Sequence, residues 1–552
     1  SWRFALRNGL TVLLREKHSA PLVAIHVAVK AGTLSEPDDA LGIARLTQNA
    51  ILRGTANRSS AAIEREVARL GGIFSSQVGN DQTTFTLIAP AESYTAMVEL
   101  IADVILHPAF KEDDLKKAAG DVLLQSRRAQ DSTEQSAVEK LFASAFLSHR
   151  LKRGSAVSES FLASATRERV QSFYQSQYQP ANTVVTVLGD IAMLPGIGQV
   201  QLQFGNYKAA APSPAVGNQT AATQSGKSPA ATAEQKTPTV TANAAAPATE
   251  QAATGVQKST LEEAAQDRLH YGNARADIGQ SLITVGYRLP AIKADKEGLK
   301  ELATIQVLAA ALGLGDGSRL YQGLREGLAS RDKASVASEV RTEYQALPGM
   351  SMLIAQLLVE PERIDRAEAE YFREIERFRR EIISDGELQR AKSLLEKQHY
   401  DSMTTFESEA ALLSNYQIRL GDWRLFDNTV NRHRAITAQD VQLAAAKYLT
   451  LANTTVQEYE PRAATALGPM ASGAGVEVEI QPPPSDLPPL LGDRVRCAQV
   501  LINYGSNAIK YGRRGTRVSF SAALVEGRVR LHVVDDGAGI PVEQQAKLDR
   551  KS

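Results

Sequence analysis

The stretch Val170-Gln171-Ser172-Phe173-Tyr174-Gln175-Ser176-Gln177-Tyr178-Gln179-Pro180-Ala181-Asn182-Thr183-Val184 has a counterpart in Val441-Gln442-Leu443-Ala444-Ala445-Ala446-Lys447-Tyr448-Leu449-Thr450-Leu451-Ala452-Asn453-Thr454. In both, a Val-Gln pair leads to a Tyr and then to Ala-Asn-Thr, the pattern of a helix handing over to a β-branched strand. A recurrence at the ends of two long segments predicts a duplicated unit. The first segment carries strand patterns at Leu10 to Leu14, Val23 to Val29 and Thr183 to Leu188, interspersed with long amphipathic helices. In the second, Ser384 with Glu387 and Thr437 with Asp440 stand at capping-box spacing. Two similar α+β units are therefore expected, over residues 1–207 and 267–461, facing each other across a cavity.

Residues 208–266, between the units, are dominated by Ala, Thr, Pro, Gln and Ser with no aromatic residue, a composition that cannot build a core and reads as a disordered linker. A second interruption, rich in Gly, Ala and Pro, covers 462–490; the chain changes character from about Val476, and a third unit is expected over 491–552. The length of 552 residues agrees with several domains. With 43% hydrophobic and 22% charged residues and no apolar run of ~18 residues, the chain reads as globular, without a transmembrane segment. Lys plus Arg balance Asp plus Glu at 62 each, so no global field attracts nucleic acid. The single Cys497 excludes an internal disulfide and a thiolate zinc cluster.

The first unit resembles the pitrilysin/insulinase family of inverted-motif zinc peptidases in Asn8-Gly9-Leu10-Thr11-Val12, Ala31-Gly32-Thr33, Glu36, Leu70-Gly71-Gly72, Pro180-Ala181-Asn182 and Gly189-Asp190. Where that family writes Gly-Leu-Ala-His-Phe-Leu-Glu-His-Met-Leu-Phe-x-Gly-Thr, this chain has Gly42-Ile43-Ala44-Arg45-Leu46-Thr47-Gln48-Asn49-Ala50-Ile51-Leu52-Arg53-Gly54-Thr55. The resemblance places the two zinc-binding His at Arg45 and Asn49, the general base at Gln48 and the third ligand at Gln125, give or take one residue. Arginine keeps its proton at any working pH, and an amide cannot take a proton from water. All four roles are vacant. The histidines are His18, His26, His107, His149, His270, His399, His433 and His532, and no two stand four apart to share a helical face.

In the second unit Gly317-Ser318-Arg319-Leu320-Tyr321 and Leu324-Arg325-Glu326 resemble the family's second-half signature, in which the Arg works with a Tyr to stabilise the tetrahedral intermediate. Arg325 is kept, with a helix-end salt bridge as its plainer role, but a serine, Ser330, stands for the tyrosine. Ser75-Ser76 replaces the Asn-Ala pair of the substrate-gripping edge strand. The resemblance implies a half-size, non-catalytic subunit of a clamshell heterodimer, enclosing an unfolded peptide with a zinc-bearing partner. Zinc is then expected only in the partner.

From Gly492 the sequence through Asn503, Asn507 and Lys510 resembles the asparagine box of sensor histidine kinase ATP-binding (GHKL) domains, and Asp535-Asp536-Gly537-Ala538-Gly539 their first glycine box. That implies Asn503 and Asn507 on magnesium and phosphate, Lys510 as added charge, Asp535 on the adenine amino group, and Gly537 and Gly539 admitting backbone to the nucleotide. The chain stops soon afterwards, so a truncated α/β sandwich with weak ATP binding at most is expected. The alternatives are an ATP-regulated sensor and an active zinc metalloendopeptidase. An exported or periplasmic setting follows from the peptidase-like part, a cytoplasmic one from the kinase-like part.

Overall fold

The computed structural model describes residues 1–130, 132–208, 263–276, 278–328, 334–347, 349–461, 471, 474–481, 501, 504–510, 515–525 and 528–536. The first unit comprises β1 (Trp2–Ala5), β2 (Thr11–Glu16), β3 (Leu22–Val29), α1 (Ile43–Ile51), α2 (Ser60–Arg69), β4 (Ile73–Val78), β5 (Thr83–Pro90), α3 (Tyr94–Leu106), α4 (Glu112–Gln130), α5 (Thr133–Ala145), α6 (Glu159–Ser164), α7 (Arg167–Gln177), β6 (Thr183–Gly189) and α8 (Met193–Phe204). The second comprises β7 (His270–Ala276), β8 (Ser281–Leu289), α9 (Lys296–Gly313), β9 (Glu339–Leu347), β10 (Met350–Val359), α10 (Ile364–Arg380), α11 (Asp385–Asp401), α12 (Phe406–Leu420), α13 (Thr429–Ala435), α14 (Ala438–Tyr448) and β11 (Thr454–Pro461).

The duplication is visible strand by strand. In the first sheet β2 pairs parallel with β6, and β6-β3-β5-β4 continue antiparallel; in the second β7 pairs parallel with β11, and β11-β8-β10-β9 continue antiparallel. Only β1, antiparallel to β2, lacks a counterpart. The repeated Val-Gln to Asn-Thr segments are α7 running into β6 and α14 running into β11. Both expected capping boxes form, at Ser384 with Glu387 and Thr437 with Asp440, each satisfying backbone donors at a helix start.

The units exchange helices, and a cavity of about 400 Å³ lies between them, lined by Asp81 and Gln82 of the β4–β5 turn and by Glu343, Gln345 and Arg419 of the second unit. α12 of the second unit lies on β3 and β6 of the first, and α5 of the first lies on β8 and β11 of the second. Leu13, Ala24, Ala28 and Leu188 thereby pack against Leu413, Trp423 and Phe426, while Phe142 and Phe146 pack against Met352 and Ile354. The reason is that β3 and β6 are buried along nearly their whole length. A sheet apolar on both faces needs two covers, and each unit has helices of its own on one face only.

The expected linker lies almost wholly outside the described residues, but its last residues are docked. The Glu263 carboxylate accepts the backbone N–H groups of Leu147, Ser148 and His149 at 2.7–2.9 Å, and Gln266 donates to the Thr454 carbonyl at 2.6 Å. The second expected linker, 462–490, also contains structure. β12 (Glu477–Ile480) pairs parallel with β13 (Arg517–Val525), which pairs antiparallel with β14 (Arg528–Asp535). The alternation Glu477-Val478-Glu479-Ile480 is a strand signal that the surrounding Gly and Pro obscure. A helical segment, 504–510, packs through Ala508 and Ile509 onto Val518, Phe520 and Val533.

Candidate functional site

The helix α1 starts at Gly42, whose φ of 100° is a left-handed conformation open to glycine, and its first N–H groups meet a side chain from outside the helix. Glu36 accepts from Gly42 N and Ala44 N at 3.0 Å each. Gly32 makes this possible: a Cβ there would overlap the Asn80 carbonyl, so only glycine lets the Thr33 to Glu36 segment lie against the β4–β5 turn. The Glu36 carboxyl is 2% exposed, and burial pushes its pKa up to about 7 against the opposing pull of the two backbone bonds, Arg45 and Arg153.

The positions aligned with the zinc ligands are all on α1 or α4, and each α1 side chain is turned to an acceptor within the protein. Arg45 Nη1 donates to the Ser155 carbonyl at 2.7 Å, Asn49 Nδ2 to the Arg45 carbonyl at 3.0 Å, and Gln48 Nε2 to Ser76 Oγ. Ser76 is one of the pair that replaces Asn-Ala on edge strand β4. On α4 the buried face runs through Leu115, Ala118, Ala119, Val122 and Ser126, whereas Gln125 is exposed. The residue facing the core at the third-ligand position is thus Ser126. Zinc requires converging lone pairs from imidazole, carboxylate or thiolate. A guanidinium, two amides acting as donors and a serine do not fit that ion. Among the described residues no three His, Cys, Asp or Glu side chains converge on a common point.

Residues distant in sequence complete the surroundings. Arg150 Nη1 donates to the Leu34 carbonyl at 2.9 Å, and Arg153 pairs with Asp38. Together with Arg45 they line a cavity of about 250 Å³ bounded by α1, α5 and residues 150–156. No local pattern announces Arg150 or Arg153, because their partners lie more than a hundred residues away. In the second unit Arg319, not Arg325, is the structural arginine: it meets Glu387 at 2.7 Å and lies over the Phe378 ring. Arg325 makes no side-chain hydrogen bond or ion pair among the described residues, so the expected helix-end salt bridge is not formed there; Ser330 lies outside them. Of the ATP-site candidates, Asn507, Lys510 and Asp535 are exposed, while Asn503, Gly537 and Gly539 lie outside the described residues.

Comparison with known proteins agrees with this architecture. Residues 11–158 match the insulinase family (peptidase family M16), and residues 164–395 match the family's inactive domain. The first two units carry the N-terminal and inactive domains of the M16 peptidase family. Residues 492–551 match the histidine kinase, DNA gyrase B and HSP90-like ATPase family. An uncharacterized zinc protease of Rickettsia felis is 26% identical over 186 residues, 34% of this chain and 45% of that protein, so this chain spans less than half of that relative. An uncharacterized zinc protease of Bacillus subtilis is 20% identical over 448 residues, 81% of this chain and 95% of the relative. The crystal structure of a protease from Helicobacter pylori superposes with a TM-score of 0.67 at 18% identity, covering 83% of this chain and 99% of that one, a likeness of fold. No described helix is long and apolar enough to cross a membrane.

Proposed function

We propose that this chain is a non-catalytic subunit that binds unfolded peptides in a chamber completed by a zinc-bearing M16 partner. The observation that carries the reading is the state of α1: it packs against α4, α7 and β4, yet Arg45 Nη1, Gln48 Nε2 and Asn49 Nδ2 are donors turned to Ser155, Ser76 and Arg45. A peptidase of this type needs a metal-held water and a base, and the aligned side chains Arg45, Gln48, Asn49 and Ser126 suit neither role. Co-purification from the source cell tests the reading. Recovery of a zinc-bearing M16 subunit is expected; one tightly held zinc per chain after chelator washing, together with peptide cleavage by the chain alone, would overturn it.

The family match over residues 492–551 favours a second reading, an ATP-regulated sensor whose M16 units detect peptide. Recovery of a response regulator in the same experiment distinguishes it. The chain's own cofactor requirement is proposed to be none, with zinc confined to the partner and ATP held weakly at most.

A further inference from the structure

The cavity between α1, α5 and residues 150–156 has an unusual charge arrangement. Arg45, Arg150 and Arg153 line it, as do the carboxyls of Glu36 and Glu139. Each acid is engaged elsewhere: Glu36 accepts the N-terminal amides of α1, and Glu139 accepts the Ser155 hydroxyl. Arg153 is neutralised by Asp38. Arg45 and Arg150 are not. Their only side-chain bonds among the described residues run to the backbone carbonyls of Ser155, Leu34 and Glu36, all through Nη1, and neither forms an ion pair. Arg45 Nε and Nη2 and Arg150 Nη2 therefore have no protein acceptor among the described residues, in a site partly shielded from water by Leu34, Leu41 and Phe142. Arg45 feels the Glu36 carboxyl only at a distance, without an ion pair, and two guanidiniums lining one cavity with donors to spare suit an anion with planar, bidentate oxygens.

We propose that this cavity is a carboxylate receptor in which Arg45 and Arg150 together grip a carboxylate of a bound peptide. The inference deepens the peptide-binding reading and rests on it. At about 250 Å³ the cavity admits a carboxyl group with the side chain or terminal residue that carries it, but not a folded partner. Asn80, at the turn that ends edge strand β4, also lines it, so a chain lying along that edge passes its mouth. The position from which a zinc ligand is missing thus becomes a positive anchor.

Fluorescence anisotropy with the full chain and three N-terminally labelled unfolded peptides tests the proposal. The probes are a neutral sequence as its C-terminal amide, the same sequence with a free C-terminus, and the amide with one central Glu. Binding at least about tenfold tighter for one carboxylate-bearing peptide than for the neutral amide is expected, and which of the two gains identifies the source as chain terminus or acidic side chain. Arg45→Gln and Arg150→Gln should each reduce the gain to within about twofold, whereas Arg45→Lys should retain part of it, a dependence on charge that a merely structural arginine would not show. Equal binding of all three peptides by the native chain overturns the receptor and leaves the peptide-binding reading standing, as does a gain that survives both Gln variants. Failure of every peptide to bind overturns both.

Discussion

Arg45 occupies the first zinc-ligand position with a group that repels cations, and Gln48 and Asn49 extend the change around one helical face. Reversion should therefore be cooperative. Arg45→His, Gln48→Glu and Asn49→His together with Ser126→Glu are expected to bind zinc near stoichiometrically, as measured by metal analysis after dialysis. The same triple change with Gln125→Glu should not, because Gln125 points to solvent. Zinc retention by any single reversion would contradict this. Buried titratable residues set the pH response. The Glu36 pKa, raised to about 7, means that the folded chain holds a proton the unfolded one releases near 4.5, so its contribution is fully present below that value and is lost as pH rises through 7. Unfolding free energies of the native chain relative to Glu36→Gln should fall by on the order of 3 kcal/mol across this window; a pH-independent difference would refute the buried charge. His26 and His433 act in the opposite sense. Burial lowers both to about 4, so the unfolded chain takes up protons first as pH falls from 6.5 to 4, and stability should decline over that range.

At the scale of elements, the exchanged helices hold the two units together, and α12 carries the polar clasp. Glu409, buried, receives Arg15 at 2.9 Å and Lys17 at 2.6 Å from the β2 end of the first unit, and Arg419 reaches Asp81 at 2.8 Å. Glu409→Ala leaves two cations facing an apolar seam, although Arg15 retains Asp427 and both cations are partly solvated. A loss of about 1–3 kcal/mol in denaturant unfolding is expected, below the cost of breaking a fully buried pair. Leu413→Ala, which empties space against the first sheet, should cost roughly 2–4 kcal/mol. Changes under about 0.5 kcal/mol in both variants would show that the helix exchange contributes nothing to stability.

For the whole molecule, the third unit follows two M16 units that share an apolar seam, and Asn507, Lys510 and Asp535, its described candidates for a nucleotide site, are all exposed. Micromolar affinity needs about 8 kcal/mol, more than a few water-exposed polar contacts supply after ordering costs. Calorimetric titration with ATP and magnesium is expected to show millimolar or undetectable binding; a dissociation constant below about ten micromolar that disappears in Asp535→Ala would reverse that reading. Much of this organisation was legible locally. Capping boxes at Ser384 and Thr437, the strands β2, β3 and β6 of the first sheet and the duplicated Val-Gln to Asn-Thr segment depend on neighbours within a few residues, and the chemistry of Arg45, Gln48 and Asn49 follows from residue type once their register is known. What tertiary structure alone decided was what covers each buried face and which distant groups meet. Periodicity shows that β3 and β6 are apolar on both sides but not that α12, some two hundred residues further along the chain than β6, is the second cover. It marks α4 as amphipathic but leaves open whether Gln125 or Ser126 points inward, and it carries no trace of Arg150 and Arg45 lining one cavity. Such pairings are set by packing between elements, which depends on the path of the whole chain and not on the order of neighbouring residues.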